Sequence, residues 1–147
     1  MGIIDIGDKE NIYREAEASG KIKLSKESLD AIEEGTVKKG DPIQVAEISA
    51  IQAVKKTPGN IPHCHPIPID GVDVSFEKSD DSIKITCRVS SIYKTGVEME
   101  ALSGVNAALL TIWDMMKYLE KDEEGQYPET EIMNIKVTKK IKGKQKG

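Results

Sequence analysis

The apolar positions of this chain keep two different rhythms. Between residues 72 and 89 they fall every second place: Val72, Val74 and Phe76, then Ile83, Ile85, Cys87 and Val89, with the polar run KSDDS at 78–82 between them. Period two broken by a polar turn predicts a β-hairpin with one face inward. From 95 to 120 the rhythm changes to three and four. Met99, Leu102, Val105, Leu109, Ile112, Trp113, Met116 and Leu119 line one stripe of a proline-free helix, ~35–39 Å long at ~1.5 Å per residue.

Shorter elements flank these two. Residues 24–34 predict a helix with Ser25 as its cap, Glu27 in the first turn and Gly35 as its stop. Asp41 followed by Pro42 starts a second helix, with Ile48, Ala50, Ile51 and Val54 as its buried face and Thr57-Pro58-Gly59 as its end. Ile132, Ile135 and Val137 predict a last strand, with Lys136 and Lys140 on one of its faces. Residues 1–23 scatter Ile3, Ile4, Ile6, Ile12 and Ile22 among charges and read as extended chain with a short strand; residues 142–147 read as a frayed tail. The order of helices, hairpin, long helix and strand predicts an α+β fold: an antiparallel sheet covered on one face by helices.

Composition narrows the class. With 147 residues, 38% hydrophobic and 31% charged, the chain is expected to form a single soluble domain over 1–147. Aromatic residues make up only 4%, so the core has to rest on Ile, Val, Leu, Ala and Met. A net charge of −4 speaks against a nucleic-acid footprint over the whole surface. No run reaches the ~18 apolar residues of a membrane span. The start MGIIDIGDKE lacks the features of a signal peptide, and two cysteines without one point to reduced thiols in the cytoplasm.

The chemistry gathers in three places. On the long helix, Glu100, Asp114 and Lys117 fall beside the apolar stripe near Ser103, Gly104 and Ala107, and Glu98 falls on the stripe itself, in the first turn. Small residues there let a backbone or a ligand come close, and the helix dipole favours Glu98. Glu100 and Asp114 stand ~21 Å apart along one helix. A site using both therefore needs a second subunit, which predicts a homo-oligomer with interface pockets. The loop IPHCHPIPIDG at 61–71 is stiffened by Pro62, Pro66 and Pro68 and holds His63, Cys64 and His65. Only two of these three side chains share a side, and no further His or Cys pair completes a four-ligand zinc set, which favours a substrate-contacting loop over a metal site. Lys38, Lys39 and Gly40 feed a helix N-terminus, where they are either solvated or an anion contact.

KKGD at 38–41, CHP at 64–66, KTGVEMEAL at 94–102 and WDMMK at 113–117, taken together, resemble the cyclic pyranopterin monophosphate synthases, the MoaC-type family of molybdenum cofactor biosynthesis. The likeness runs from about residue 5 to 140. It implies a ferredoxin-like subunit, a homohexamer built as a trimer of dimers, and active sites between subunits. It implies conversion of 3′,8-cyclo-7,8-dihydro-GTP, supplied by a radical-SAM GTP cyclase, to cyclic pyranopterin monophosphate with release of pyrophosphate. It also implies the residue roles: Asp114, Lys117 and Lys39 as the catalytic group, and His63, Cys64, His65, Glu98, Met99, Glu100 and Lys140 on the substrate, with Lys140 at phosphate.

This chain departs from the commoner pattern at His63, where many members carry leucine, and in lacking the usual K-S-G-G-K-S-G ending. No cofactor is firmly implied, though Mg²⁺ can ride in with the triphosphate. On this reading the lysines offset phosphate charge, and those with a pKa lowered by burial or neighbouring cations act as acids and bases. The competing readings are a non-catalytic nucleotide-binding oligomeric scaffold, which would have no use for Asp114, Glu98 and Glu100, and a metal-dependent hydrolase using His63, His65 and Asp114.

Overall fold

The computed structural model describes residues 1–144. Its elements run β1 (Ile12–Lys23), α1 (Lys26–Glu34), α2 (Pro42–Asn60), β2 (Gly71–Lys78), β3 (Ser82–Tyr93), α3 (Glu98–Glu120) and β4 (Glu131–Lys142). The strands form one antiparallel sheet in the order β2-β3-β1-β4, the arrangement of a split βαβ, ferredoxin-like domain. α3 packs across β1, β3 and β4, and α2 packs on α3 and β2. The other face of the sheet is polar, with Glu15, Glu17, Lys84 and Arg88 on the outward positions of β1 and β3.

The predicted hairpin is present: β2 and β3 pair from Gly71 with Ser90 to Lys78 with Ile83. β1 corrects the expectation of a short strand. It has twelve residues and is central, and its inward positions are Arg14, Ala16, Ala18, Gly20 and Ile22. Its period is intact but is carried by residues too small to look apolar. Smallness is required there, because a Cβ on Gly20 would lie 2.9 Å from the side chains of both Leu109 and Val105 of α3. The strand lets α3 settle on it.

α3 starts at Glu98 rather than at 95, and its buried line is rotated from the expected stripe. Ala101, Gly104, Val105, Ala108, Leu109, Ile112, Met115 and Met116 are buried, whereas Met99 is 43% exposed and Leu102, Trp113 and Leu119 are only partly covered. Close packing selects the small side chains over the long ones. Gly104 itself is enclosed within this chain, where a Cβ would meet Cys87 Sγ at 2.7 Å and Val54 at 3.1 Å. Its small size thus serves the contact of α3 with α2 and β3 and not a ligand. Cys87 is a core residue whose thiol burial pushes up to about 12.

α2 differs in the same way. Ala46, Ala50, Val54 and Thr57 face inward, and Ile48 is 56% exposed. The helix also runs through Pro58 to Asn60 instead of stopping at 57–59. Proline removes the amide that would bond the Val54 carbonyl, and the Thr57 hydroxyl donates to that carbonyl instead, at 3.0 Å.

β4 pairs with β1 through two register shifts, one of them opposite Glu17 and Ala18. That bulge inserts Thr138, which donates to Glu17 Oε2 at 2.9 Å. An extra residue reverses the facing of the residues after it. Lys136 therefore lies opposite Ser19 and Lys140 opposite Ala16, on opposite faces of the sheet and not on a shared one. The strand reaches Lys142, paired with Arg14, and Gly143 N–H donates to the Tyr13 carbonyl at 2.9 Å. Lys142 and Gly143, expected in the frayed tail, are thus held on β1, and 145–147 lie outside the described residues.

The far end of α3 is fastened by Glu120, 7% exposed. Its carboxylate accepts from the Ser25 amide at 3.0 Å, the Ser25 hydroxyl at 2.6 Å, the Ser28 hydroxyl, and the Thr130 hydroxyl at 2.6 Å. One side chain thus joins the start of α1, the end of α3 and the approach to β4.

Burial raises the Glu120 pKa, but the donors from Ser25, Ser28 and Thr130 outweigh it and hold it below the ordinary glutamate value. A carboxyl with a depressed folded pKa stabilises the fold above its unfolded value, ~4.3, and loses that contribution as pH falls through the folded one. Glu120→Gln is therefore expected to lower stability by about 2 kcal/mol at pH 7, with the difference shrinking in denaturant titrations below about pH 4. Gly104→Ala is expected to cost about 1 kcal/mol, overpacking exceeding the gain in helix propensity. Cys87→Ala in the same chain should recover part of that loss in the same titration.

Candidate active site

The first turn of α3 builds one half of the site. β3 ends at Tyr93, and the turn through Thr95 and Gly96 delivers the chain to Val97, which caps α3 with no side-chain hydrogen bond. The free amides at that end are met by acidic residues in the first turn, Glu98 and Glu100. The proline-rich loop lies alongside; it opens with a turn in which the Cys64 amide donates to the Ile61 carbonyl at 3.0 Å, so His63 is not on extended chain as expected, and its later part is stitched to the end of β3. The Asp70 amide donates to the Ser90 carbonyl, and the Asp70 carboxylate accepts from the Ile92 amide, both at 2.9 Å. Ser91 Oγ donates to the Pro68 carbonyl at 2.5 Å. His65 Nε2 donates to the Ile4 carbonyl at 2.7 Å, which fixes its tautomer and draws the N-terminal segment over the loop.

Between loop and helix is a cavity of about 230 Å³ lined by His63, Cys64, His65, Ile67, Thr95, Gly96, Glu98, Met99 and Glu100. All six residues expected to touch substrate from the loop and the helix start are among them. Lys140 joins this group from β4, its ammonium 2.7 Å from Glu98 Oε1. Within one chain it therefore lies with the histidine loop and apart from the other two lysines. The bulge at Thr138 is what turns it this way.

The two glutamates differ sharply. Burial pushes Glu98 up, but the bond from Lys140, a backbone amide and the charges of Lys140 and Arg14 bring it below the ordinary value. Glu100 is 2% exposed, and among the described residues its Oε2 has no hydrogen-bond partner. Burial first, and the neighbouring Glu98 charge after it, raise its pKa. The Cys64 thiol is also pushed up, by burial first and then by Glu100.

Arg14 is a structural partner of the site that no motif names; in the sequence it stands as a lone charge. It is 5% exposed and donates to the carbonyls of Tyr93 at 3.4 Å and Lys94 at 3.1 Å, holding the turn that leads into α3. The signal for it is its place on the inward phase of β1.

The other half of the site is at the opposite end of α3. Asp114 Oδ2 accepts from Lys39 Nζ at 3.1 Å, and Oδ1 from Lys117 Nζ at 2.9 Å. Lys39 also donates to the Asp114 carbonyl at 3.2 Å. Its loop is pinned to α3 by Lys38, whose amide donates to Tyr118 Oη at 3.0 Å and whose ammonium sits 5.1 Å above that ring. The structure thus brings the three residues expected to be catalytic into one exposed cluster.

The bonds from Lys117 and then Lys39 hold Asp114 below the usual aspartate range. The same bond to Asp114 raises Lys117 above its ordinary value. Lys117 is therefore not one of the lysines with a lowered pKa: at rest it is an ammonium, fitted to bind an anion or give up a proton rather than take one.

Asp114 is sixteen residues along a straight helix from Glu98, ~24 Å at ~1.5 Å per residue. The two clusters therefore do not form one pocket within a chain. The separation also keeps Asp114 away from His63 and His65. Among the described residues no three His, Cys, Asp or Glu side chains are placed to hold a metal ion, and no helix is long and apolar enough to cross a membrane.

The pattern of the MoaC family matches residues 3–143. A protein of Thermococcus kodakarensis named probable cyclic pyranopterin monophosphate synthase is 54% identical over 143 residues, 97% of this chain and 92% of that one. Proteins of the same name from Pyrococcus furiosus, at 55% over 95% of this chain and 90% of theirs, and Methanopyrus kandleri, at 52% over 96% and 92%, match equally fully. Matched across nearly its whole length, the chain belongs to the MoaC family.

Proposed function

We propose that the chain is a cyclic pyranopterin monophosphate synthase of molybdenum cofactor biosynthesis. It takes 3′,8-cyclo-7,8-dihydro-GTP, the product of a radical-SAM GTP cyclase, and releases cyclic pyranopterin monophosphate and pyrophosphate as a phosphorus–oxygen lyase in the cytoplasm. The observation that carries the reading is the division of the motif residues into two chemically distinct ends. Lys39 and Lys117, both paired with Asp114, suit a triphosphate, with or without Mg²⁺ bound to it. The cavity beside His63, Cys64, His65, Met99 and Glu100 suits the heterocycle.

The chemistry at the phosphate end is displacement. A ribose hydroxyl attacks the α-phosphorus in line, the bond to the β-phosphate oxygen breaks, and pyrophosphate leaves with the negative charge. Lys39 and Lys117 stabilise that charge as it builds, and Asp114 keeps both ammonium groups aimed at one point. The heterocycle end handles the proton transfers of ring opening and reclosure, with Glu98 and Lys140 as an acid–base pair already in contact.

The ~24 Å between the ends exceeds what one nucleotide-sized ligand reaches. Each site is therefore completed by a second copy, which contributes its Lys39–Asp114–Lys117 cluster to the first copy's histidine loop. Val45 and Ile48 on α2 and Leu110 on α3 are exposed apolar side chains in the helix layer, available for such a contact. The assembly we favour is the homohexamer, a trimer of dimers.

Incubating the purified protein with cyclised dihydro-GTP should yield pyrophosphate and the pterin product together. Binding without release of either would make the chain a scaffold and refute the reading. Asp114→Ala and Lys117→Ala are each expected to lower kcat by about 10²-fold or more while circular dichroism and the oligomer mass stay unchanged. Normal turnover in either variant would remove it from the catalytic group.

A further inference from the structure

The cavity at the start of α3 holds two carboxyl groups two residues apart in opposed circumstances. Glu98 is partly open, 26% exposed, and has its cation in Lys140. Glu100 is 2% exposed and lines the same cavity, and among the described residues its fully buried Oε2 has no hydrogen-bond partner. A buried carboxylate without a cation or donors is costly, and the group keeps a proton instead.

The cations nearby are already engaged. Lys140 is on Glu98, and Arg14 is held by the carbonyls of Tyr93 and Lys94. The remaining titratable neighbours are His63, Cys64 and His65 from the loop. Of these, His65 donates its Nε2 proton to the Ile4 carbonyl, and burial pushes the Cys64 thiol up. One backbone amide of the first turn favours the anion, but burial and the Glu98 charge oppose it and prevail. Paired acids whose surroundings drive them apart take different roles.

We propose that Glu100 rests as a neutral carboxylic acid and that its carboxyl proton is what it offers to a ligand in the cavity, so that the ligand atom it takes is an acceptor: a carbonyl oxygen or a lone-pair nitrogen of a planar heterocycle. The identity of that ligand as the cyclised dihydro-GTP rests on the function proposed above; the protonation state does not. Glu98 is then the anion of the pair and Glu100 the donor. At rest the half-site thus meets the heterocycle with one proton donor and one carboxylate.

Infrared spectra of the intact protein at pH 7, without ligand, test the first part. The carbonyl stretch of a neutral carboxylic acid is expected, lost in Glu100→Gln and retained in Glu98→Gln. Absence of the band, or its survival in Glu100→Gln, overturns the proposal. Binding of the cyclised dihydro-GTP tests the second part. Glu100→Gln keeps a donor and should bind within about threefold of the parent, whereas Glu100→Leu, with none, should weaken binding about tenfold or more. Equal losses in both variants would show that an accepting carboxylate is needed, and no loss in Glu100→Leu would show that the carboxyl does not touch the ligand; either result overturns the donor role. The infrared result is read without ligand, so it stays legible if the substrate assignment fails.

Discussion

The seating of α3 on the sheet governs the rest of this structure. The helix lies low because the strand beneath it gives way at Gly20 and because Gly104 lets Cys87 of β3 and Val54 of α2 come close against it. A long helix packed that closely is a rigid rod, since interiors at crystal-like density do not bend to suit a ligand. Everything chemical in the chain is referred to that rod. Glu98, Met99 and Glu100 sit in its first turn, and Asp114 and Lys117 near its last. The proline loop, the Lys38–Gly40 loop and β4 are fastened to the sheet or the rod so that their side chains meet it at one end or the other.

Fixed separation turns one helix into two half-sites with different electrostatics. At the far end, charges are exposed and mutually neutralised: one carboxylate shared by two ammonium groups. At the near end, charges are covered and unevenly served, with Glu98 paired and Glu100 alone. Exposed ion pairs exchange partners readily because each contributes little on its own, whereas buried carboxyls hold their protonation state against the solvent. The first arrangement suits phosphate traffic and the second suits proton transfer on a ring.

Side-chain size decided how much of this was legible in the sequence. The hairpin was plain because Val72, Val74, Phe76 and Ile83 to Val89 are large and alternate. β1 was obscured because its inward positions are Ala16, Ala18 and Gly20, required to be small by the helix above them. The same substitution of smallness for bulk misplaced the buried lines of α2 and α3, where Ala46, Ala50, Gly104 and Ala108 do the packing and Ile48 and Met99 face outward. Thr57 let α2 pass through Pro58, a rescue that no proline rule anticipates. The candidate site was legible as residues and not as contacts. Motifs named Lys39, Asp114, Lys117 and the histidine loop, but the place of Lys140 depends on a bulge that a two-residue period cannot show. Arg14 stayed hidden because its strand did.

A working site that takes its two halves from two chains is the centre of this account, and mixing of disabled chains tests it most directly. One chain would carry Asp114→Ala and the other Glu98→Ala, each inactive alone, and the two would be unfolded and refolded together. Shared sites predict that the mixture recovers activity on the order of a quarter of the parent's, since half the pairs are mixed and each mixed pair holds one intact site. A mixture as inactive as its parts, with mixed oligomers confirmed by mass, would place both halves within a single chain and contradict the account.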